Sequence, residues 1–159
     1  MAEEIFVDSS LSKEEKYTSL LPMLAGLLEG ETSLIANLAN TAAVLKEVFN
    51  WWWVGFYLVD GQQLVLGPFQ GPVACTRIAY GKGVCGTAWK EKTNQLVQDV
   101  DQFPGHIACS GASRSELVLP LFNEAGEVWG VLDIDSEYLA HFDEVDLAGM
   151  EKLVKLLKA

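Results

Sequence analysis

The stretch Trp51-Trp-Trp-Val-Gly-Phe-Tyr-Leu-Val-Asp-Gly-Gln-Gln-Leu-Val-Leu66 decides the fold class. Two apolar runs meet across Asp60-Gly61, a dipeptide that accepts positive φ at little cost and so favours a tight hairpin. Strands are expected over 53–58 and 63–66. On such a strand Trp51 and Trp53 are expected on one face and Trp52 on the other. Toward the C-terminus the same pattern of short apolar runs between turn signals continues at 75–80, 96–97, 117–122 and 128–135, with Glu124-Ala-Gly126 joining the last two. A mainly antiparallel sheet follows. Gly81-Lys-Gly-Val-Cys-Gly86 reads as a glycine-rich approach to a short helix around residues 87–91. Its Gly81-Lys-Gly83 lacks the full phosphate-loop pattern.

Upstream of this stretch the apolar period lengthens. Ser12-Lys-Glu-Glu15 has the form of a capping box, in which hydroxyl and carboxylate satisfy the first backbone N–H groups of a helix. Pro22 is expected to kink that helix or to start a new one, because its ring blocks the hydrogen bond to the preceding turn, and Gly30 to end it. Leu34, Ile35, Leu38, Ala42, Leu45 and Phe49 recur at spacings of three and four, predicting a second helix over about 32–49. Asp143, with Asp146 three residues on, caps a last helix expected to reach the C-terminus. Helices at both ends of a central run of strands give an α+β layer architecture. The 159 residues suit one domain: a helical layer over 1–49, sheet and site loops over 50–136, and a C-terminal helix over 142–159.

Eleven Lys and Arg against 22 Asp and Glu give a formal net charge of −11, which repels nucleic acid and anionic membrane surfaces. A small solute or a protein partner is expected instead. Glu3 and Glu4 stand where a leader would carry basic residues, so a cytoplasmic protein is expected. The apolar runs are far shorter than the roughly 20 residues that cross a bilayer. Three cysteines, Cys75, Cys85 and Cys109, make an odd set without a secretory signal, which argues against a static disulfide scaffold.

Residues 103–116 pack small and polar side chains around Cys109, as a functional loop does. Near His106 and Arg114 its thiol could ionise and attack sulfur; the alternative is a buried thiol acting as a small hydrophobe. Cys75, on an expected strand, and Cys85, between glycines, could each meet Cys109. Three thiols allow an attacking, a resolving and a relay role. A zinc site from Cys75, Cys85, Cys109 and His106 is the metal alternative, weakened because only His106 and Cys109 have ligand-like spacing. Asp133 and Asp135 project from one strand face, and Glu116 opens another strand. Lining a cavity, such acids repel one another and at least one keeps a proton that it can donate; at an edge strand they would simply be solvated.

Six segments in order, Gly55-Phe-Tyr57, Leu66-Gly-Pro-Phe-Gln-Gly71, Gly81 to Gly86, Gly105-His-Ile-Ala-Cys109, Ser115-Glu-Leu-Val-Leu-Pro120 and Gly130-Val-Leu-Asp-Ile-Asp-Ser136, resemble the free methionine-(R)-sulfoxide reductases, single-domain GAF proteins. The resemblance runs from Gly30-Glu-Thr32 to Phe142. It implies a six-stranded antiparallel sheet flanked by N- and C-terminal helices, a small pocket on one sheet face, and a homodimer. Carried over by position, it implies that Cys109 attacks the sulfur of the free amino acid and becomes a sulfenic acid. Cys75 and Cys85 would resolve it to a disulfide, with Cys75 favoured as the partner and Cys85 as a relay or alternative. Thioredoxin, fed by NADPH through thioredoxin reductase, would restore the thiols, with no bound cofactor and no metal. Glu116, Asp133 and Asp135 match the acids that hold the substrate ammonium and help protonate its oxygen; Trp53 and Tyr57 match its aromatic wall. A substrate amine already spent in a peptide bond would not offset those acids. Members usually carry an acidic residue after the nucleophile and Asn before the Ser-Glu, whereas this chain has Ser110-Gly111 and Arg114, changes that favour the thiolate. The rival readings are a non-catalytic GAF module sensing a small ligand, and a redox-sensing or zinc-binding module. An acidic pocket disfavours a phosphate-bearing ligand.

Overall fold

The chain reverses at Gly61, which takes φ +61°, and strand β1 (Trp53–Asp60) pairs with β2 (Gln63–Gln70) in the hairpin the Asp-Gly turn predicts. The computed structural model describes residues 4–159; residues 1–3 of the amino-terminal stretch read above for targeting lie outside them. Four further strands, β3 (Arg77–Ala79), β4 (Gln95–Val97), β5 (Ser115–Phe122) and β6 (Val128–Ser136), complete one six-stranded sheet in the order β3-β2-β1-β6-β5-β4. Every pairing is antiparallel.

Period-2 alternation divides the sheet residues between two cores. Val54 and Phe56 of β1, Leu117 and Leu119 of β5, and Leu132 and Ile134 of β6 point to one side. There they meet helices α1 (Lys13–Leu28), α2 (Leu34–Phe49) and α4 (Glu144–Val154). Trp53, Tyr57, Val118 and Val131, one residue out of step, point to the other side, where helix α3 (Gly83–Glu91) and the loops lie. The molecule is thus helices, sheet, then a short helix with loops, and the site belongs to the last layer.

The end caps follow the sequence. Ser12 and Glu15 form the capping box of α1, and Asp143 with Asp146 forms that of α4. Five expectations are corrected. Pro22 neither ends nor divides α1, which stays one element because Tyr17, Leu20 and Leu24 bury their side chains against the core. The last helix stops at Val154 instead of reaching the C-terminus, and α3 starts at Gly83, earlier than expected. Cys75 precedes β3 in a loop, since pairing with β2 covers only 77–79. Trp51 and Trp53 fall on opposite sides. Asn50 takes a left-handed conformation and β1 begins only at Trp53, so Trp51 packs with Phe49 and Phe142 on the helical side.

Candidate active site

Strand register builds the acidic floor. Glu116 on β5 lies opposite Asp135 on β6, and Asp133, two residues away, shares their face. β6 sits between β1 and β5, so these acids are not on an edge strand. Glu116 and Asp133 are each 6% exposed. Trp53 and Tyr57 on β1 stand beside them, the former opposite Asp135, with ring centroids 6.0 Å apart. Between them Gly55 is required: a Cβ there would sit 2.8 Å from the Trp53 ring and 2.3 Å from Phe69 Cβ.

The two aromatic residues also do something the sequence did not suggest. The Trp53 indole N–H donates to the Pro72 carbonyl at 3.0 Å and the Tyr57 hydroxyl to the Cys75 carbonyl at 2.9 Å. They hold the Cys75 loop against the sheet. Across the opening, Cys109 lies in the loop between η1 (Val100–Gln102) and β5, and its sulfur is bonded to that of Cys75, with Cα atoms 5.3 Å apart.

Cys85, in the first turn of α3, is the remaining thiol and is buried. Its Sγ donates to Glu116 Oε1 at 3.9 Å. His106 Nε2 stands 3.8 Å from Glu116 Oε2, and the Ser113 hydroxyl donates to Asp135 Oδ1 at 2.6 Å. Asp133 Oδ1 is buried with no hydrogen-bond partner. These groups surround a small cavity of about 50 Å³.

Burial dominates the electrostatics. It pushes the Glu116 and Asp135 carboxyls well above the usual range, with the neighbouring carboxylates adding to the effect, and raises Asp133 to about 6. Burial and the same acids hold the Cys85 thiol protonated, and burial lowers His106, leaving a neutral imidazole. Among the described residues none of the three acids forms an ion pair with Lys or Arg. A cavity floored by acids that retain a proton can both accept a cationic group and donate a proton to a departing oxygen.

The structure brings together all eight sequence candidates, Cys75, Cys85, Cys109, Glu116, Asp133, Asp135, Trp53 and Tyr57, as lining or immediate support of this cavity. It changes three details. Arg114 is exposed and does not line the cavity, so it is not among the groups around the Cys109 sulfur, which is bonded to Cys75. The alternative zinc set of three cysteines and His106, disfavoured on spacing, does not converge; among the described residues the group whose donor atoms lie within 4.8 Å of one another is Cys85, Glu116 and Asp133. Ser113, which tethers the Cys109 loop to Asp135, was missed. Its only signal was a hydroxyl in a run of small residues.

Residues 33–158 match the GAF domain family. GAF domain-containing protein A of Dictyostelium discoideum is 57% identical, the alignment covering 99% of each chain. Free methionine-R-sulfoxide reductase of Escherichia coli K12 is 48% identical over 93% of this chain and 90% of its own. The X-ray structure of free methionine-R-sulfoxide reductase from Neisseria meningitidis, in complex with its substrate, superposes with a TM-score of 0.93 at 54% identity, covering 97% of this chain and 93% of that one. Near-complete coverage at these identities leaves no part of the site outside the match. This chain therefore belongs to the free methionine-R-sulfoxide reductase family of GAF-domain proteins.

Proposed function

We propose that this protein reduces free methionine-(R)-sulfoxide to methionine, with Cys109 as nucleophile and Cys75 as the resolving thiol. The Cys109 thiolate attacks the substrate sulfur while the acidic floor protonates the sulfoxide oxygen. The S–S bond so formed then breaks with its electron pair going to the methionine sulfur, while the hydroxyl carried by that sulfur passes with its own bonding pair to the Cys109 sulfur, leaving methionine and a Cys109 sulfenic acid. The Cys75 thiol attacks that sulfur, hydroxide leaves as water, and the Cys75–Cys109 disulfide is the product. The two thiols have then supplied the two electrons the sulfoxide gained. A dithiol protein of the thioredoxin type, recharged from NADPH, restores them.

One observation carries this reading: the Cys75–Cys109 disulfide stands beside a cavity whose floor holds the buried Glu116 and Asp133 and the half-buried Asp135, none of them ion-paired with Lys or Arg among the described residues. The free amino acid offers the matching ammonium, whereas a peptide-bound residue offers none and leaves the acids uncompensated. Trp53 and Tyr57 supply a wall for the thioether end. Cys85 stands behind as relay or alternative resolver; the burial that keeps it a thiol makes it the slower attacker. The reading also takes the protein as a cytoplasmic homodimer. The described residues contain no helix long and apolar enough to cross a membrane.

The test is NADPH consumption coupled through thioredoxin and thioredoxin reductase. Wild-type protein given free methionine-(R)-sulfoxide consumes NADPH, Cys109→Ser does not, and a peptide-bound sulfoxide gives no signal. Absence of consumption by wild-type protein, or its retention in Cys109→Ser, overturns the reading.

A further inference from the structure

Cys85, Glu116 and Asp133 place one thiol and two carboxylates with donor atoms within 4.8 Å of one another, all buried. His106, on the loop above, approaches one oxygen of that group, Glu116 Oε2. A tetrahedral zinc ion with bonds of about 2.0–2.3 Å sets its donors about 3.3–3.6 Å apart. Here Cys85 Sγ is 3.9 Å from Glu116 Oε1, and His106 Nε2 is 3.8 Å from Glu116 Oε2. Closing those two separations takes about half an ångström, whereas His106, which lies outside the group of donors within 4.8 Å of one another, must swing in further to act as a fourth ligand. Asp133 Oδ1, buried and without a hydrogen-bond partner, is a second and independent sign of an absent cationic ligand.

We propose that the cavity also holds a divalent metal of the zinc type, on Cys85 Sγ, Glu116, Asp133 and His106 Nε2, in place of the substrate's ammonium group. One thiolate, one imidazole and two carboxylates are a donor set suited to zinc, and hard cations such as magnesium would reject the sulfur. The site differs from the zinc alternative weighed from sequence because the Cys75–Cys109 bond removes two of those ligands while leaving Cys85 free. It therefore exists in the disulfide form, when the enzyme awaits reduction. Binding ionises Cys85 and expels the proton retained on the acids, so protons are released and affinity falls as pH falls. Metal and amino acid need the same carboxylates and exclude each other.

The metal site does not depend on the reductase reading; its competition with the sulfoxide does. The experiment titrates the Cys75–Cys109 disulfide form with Co²⁺ as the spectroscopic stand-in for Zn²⁺, since Cys85 is then the one thiol able to ligate. One cobalt per chain, a near-ultraviolet thiolate-to-cobalt band, and displacement by Zn²⁺ are expected. Cys85→Ser loses the band, and it and Asp133→Asn each bind at least about tenfold more weakly. Binding without the band, or equal affinity in both variants, overturns the site. Free methionine-(R)-sulfoxide, which this form cannot reduce, displaces the cobalt; a cobalt that stays bound overturns the shared use while leaving the metal site standing. Failure of the reductase reading would appear in the NADPH assay and leave the cobalt titration unchanged.

Discussion

Carboxylates are buried at two places in this molecule, on opposite sides of the sheet. On the helical side Asp146 is 1% exposed, and every direction around it is answered. Its Oδ1 accepts from the Tyr17 hydroxyl at 2.8 Å, and its Oδ2 accepts from Lys13 Nζ at 2.6 Å and from the Asp143 backbone N–H at 3.1 Å. Gly149 lets α4 approach, since a Cβ there would sit 2.4 Å from the Tyr17 ring. On the other side Glu116, Asp133 and the half-buried Asp135 crowd together; Lys82 lines the same cavity but forms no ion pair with them, and one Asp133 oxygen has no hydrogen-bond partner. Equal burial with opposite satisfaction separates a structural acid from a functional one. The first ties α1 to α4; the second leaves a deficit of positive charge that a ligand can fill.

Removing an acid from each side breaks the comparison in opposite ways. Glu116→Gln keeps the shape and removes the proton donor. Methionine release in a single turnover, followed by rapid quench, is expected to slow by about 10²–10⁴. The variant melts no lower than its parent, because an uncompensated buried carboxyl has gone. Unchanged release would move the donor role to Asp133 or Asp135.

Asp146→Ala acts on stability instead. It leaves the Tyr17 hydroxyl buried without its acceptor, removes one of the two carboxylates that Lys13 holds and takes away the Asp146 half of the α4 capping box. A loss of about 1–3 kcal/mol in denaturant unfolding is expected, the cost of leaving a buried hydroxyl without its acceptor. Methionine release per folded molecule stays at the parental value, because no atom of Asp146 lines the cavity.

Much of this contrast was legible in the sequence, and the illegible part has one physical cause. Ser12 and Asp143 cap helices through neighbours three residues away, and the Asp60-Gly61 hairpin closes through its own turn, so local pattern suffices for them. The one-face placement of Asp133 and Asp135 follows from strand alternation alone. That Glu116 stands opposite Asp135 depends on β5 pairing with β6 in one register, and that Trp53 faces Asp135 depends on β1 choosing β6 as its second neighbour. Such choices are settled by global packing. Trp51 was misplaced for the same reason. The strand began two residues later than the apolar run, and a single left-handed residue at Asn50 turned its ring toward the helices. Ser113 and the loop-holding roles of Trp53 and Tyr57 are hydrogen bonds across 15 or more residues. No periodicity announces those. The resemblance to a family supplied the pairing of Cys75 with Cys109, which spacing alone left open.

The pH-dependent effect sharpens the comparison most, because it reads the cost of the unsatisfied acids directly. In the folded protein Asp133 keeps its proton up to about pH 6, whereas in the unfolded chain it releases it near 3.8. Between those values the folded state binds more protons than the unfolded one, so this group's contribution to stability falls as pH rises through the window. Asp133→Asn removes that dependence. The variant, kept in the disulfide form and without substrate, is expected to match its parent near pH 4. It should become the more stable of the two as pH approaches 7, by up to about 3 kcal/mol. Parallel curves of unfolding free energy against pH for the two proteins would show that Asp133 is satisfied after all, and with that the distinction between the two sides of the sheet would fall. Lys13, whose pKa is raised because its hydrogen bonds and charge contacts with Asp146 and Asp143 outweigh desolvation, marks the contrasting case. There the charged pair steadies the fold at neutral pH, and on the other face the fold tolerates charge that only a bound cation relieves.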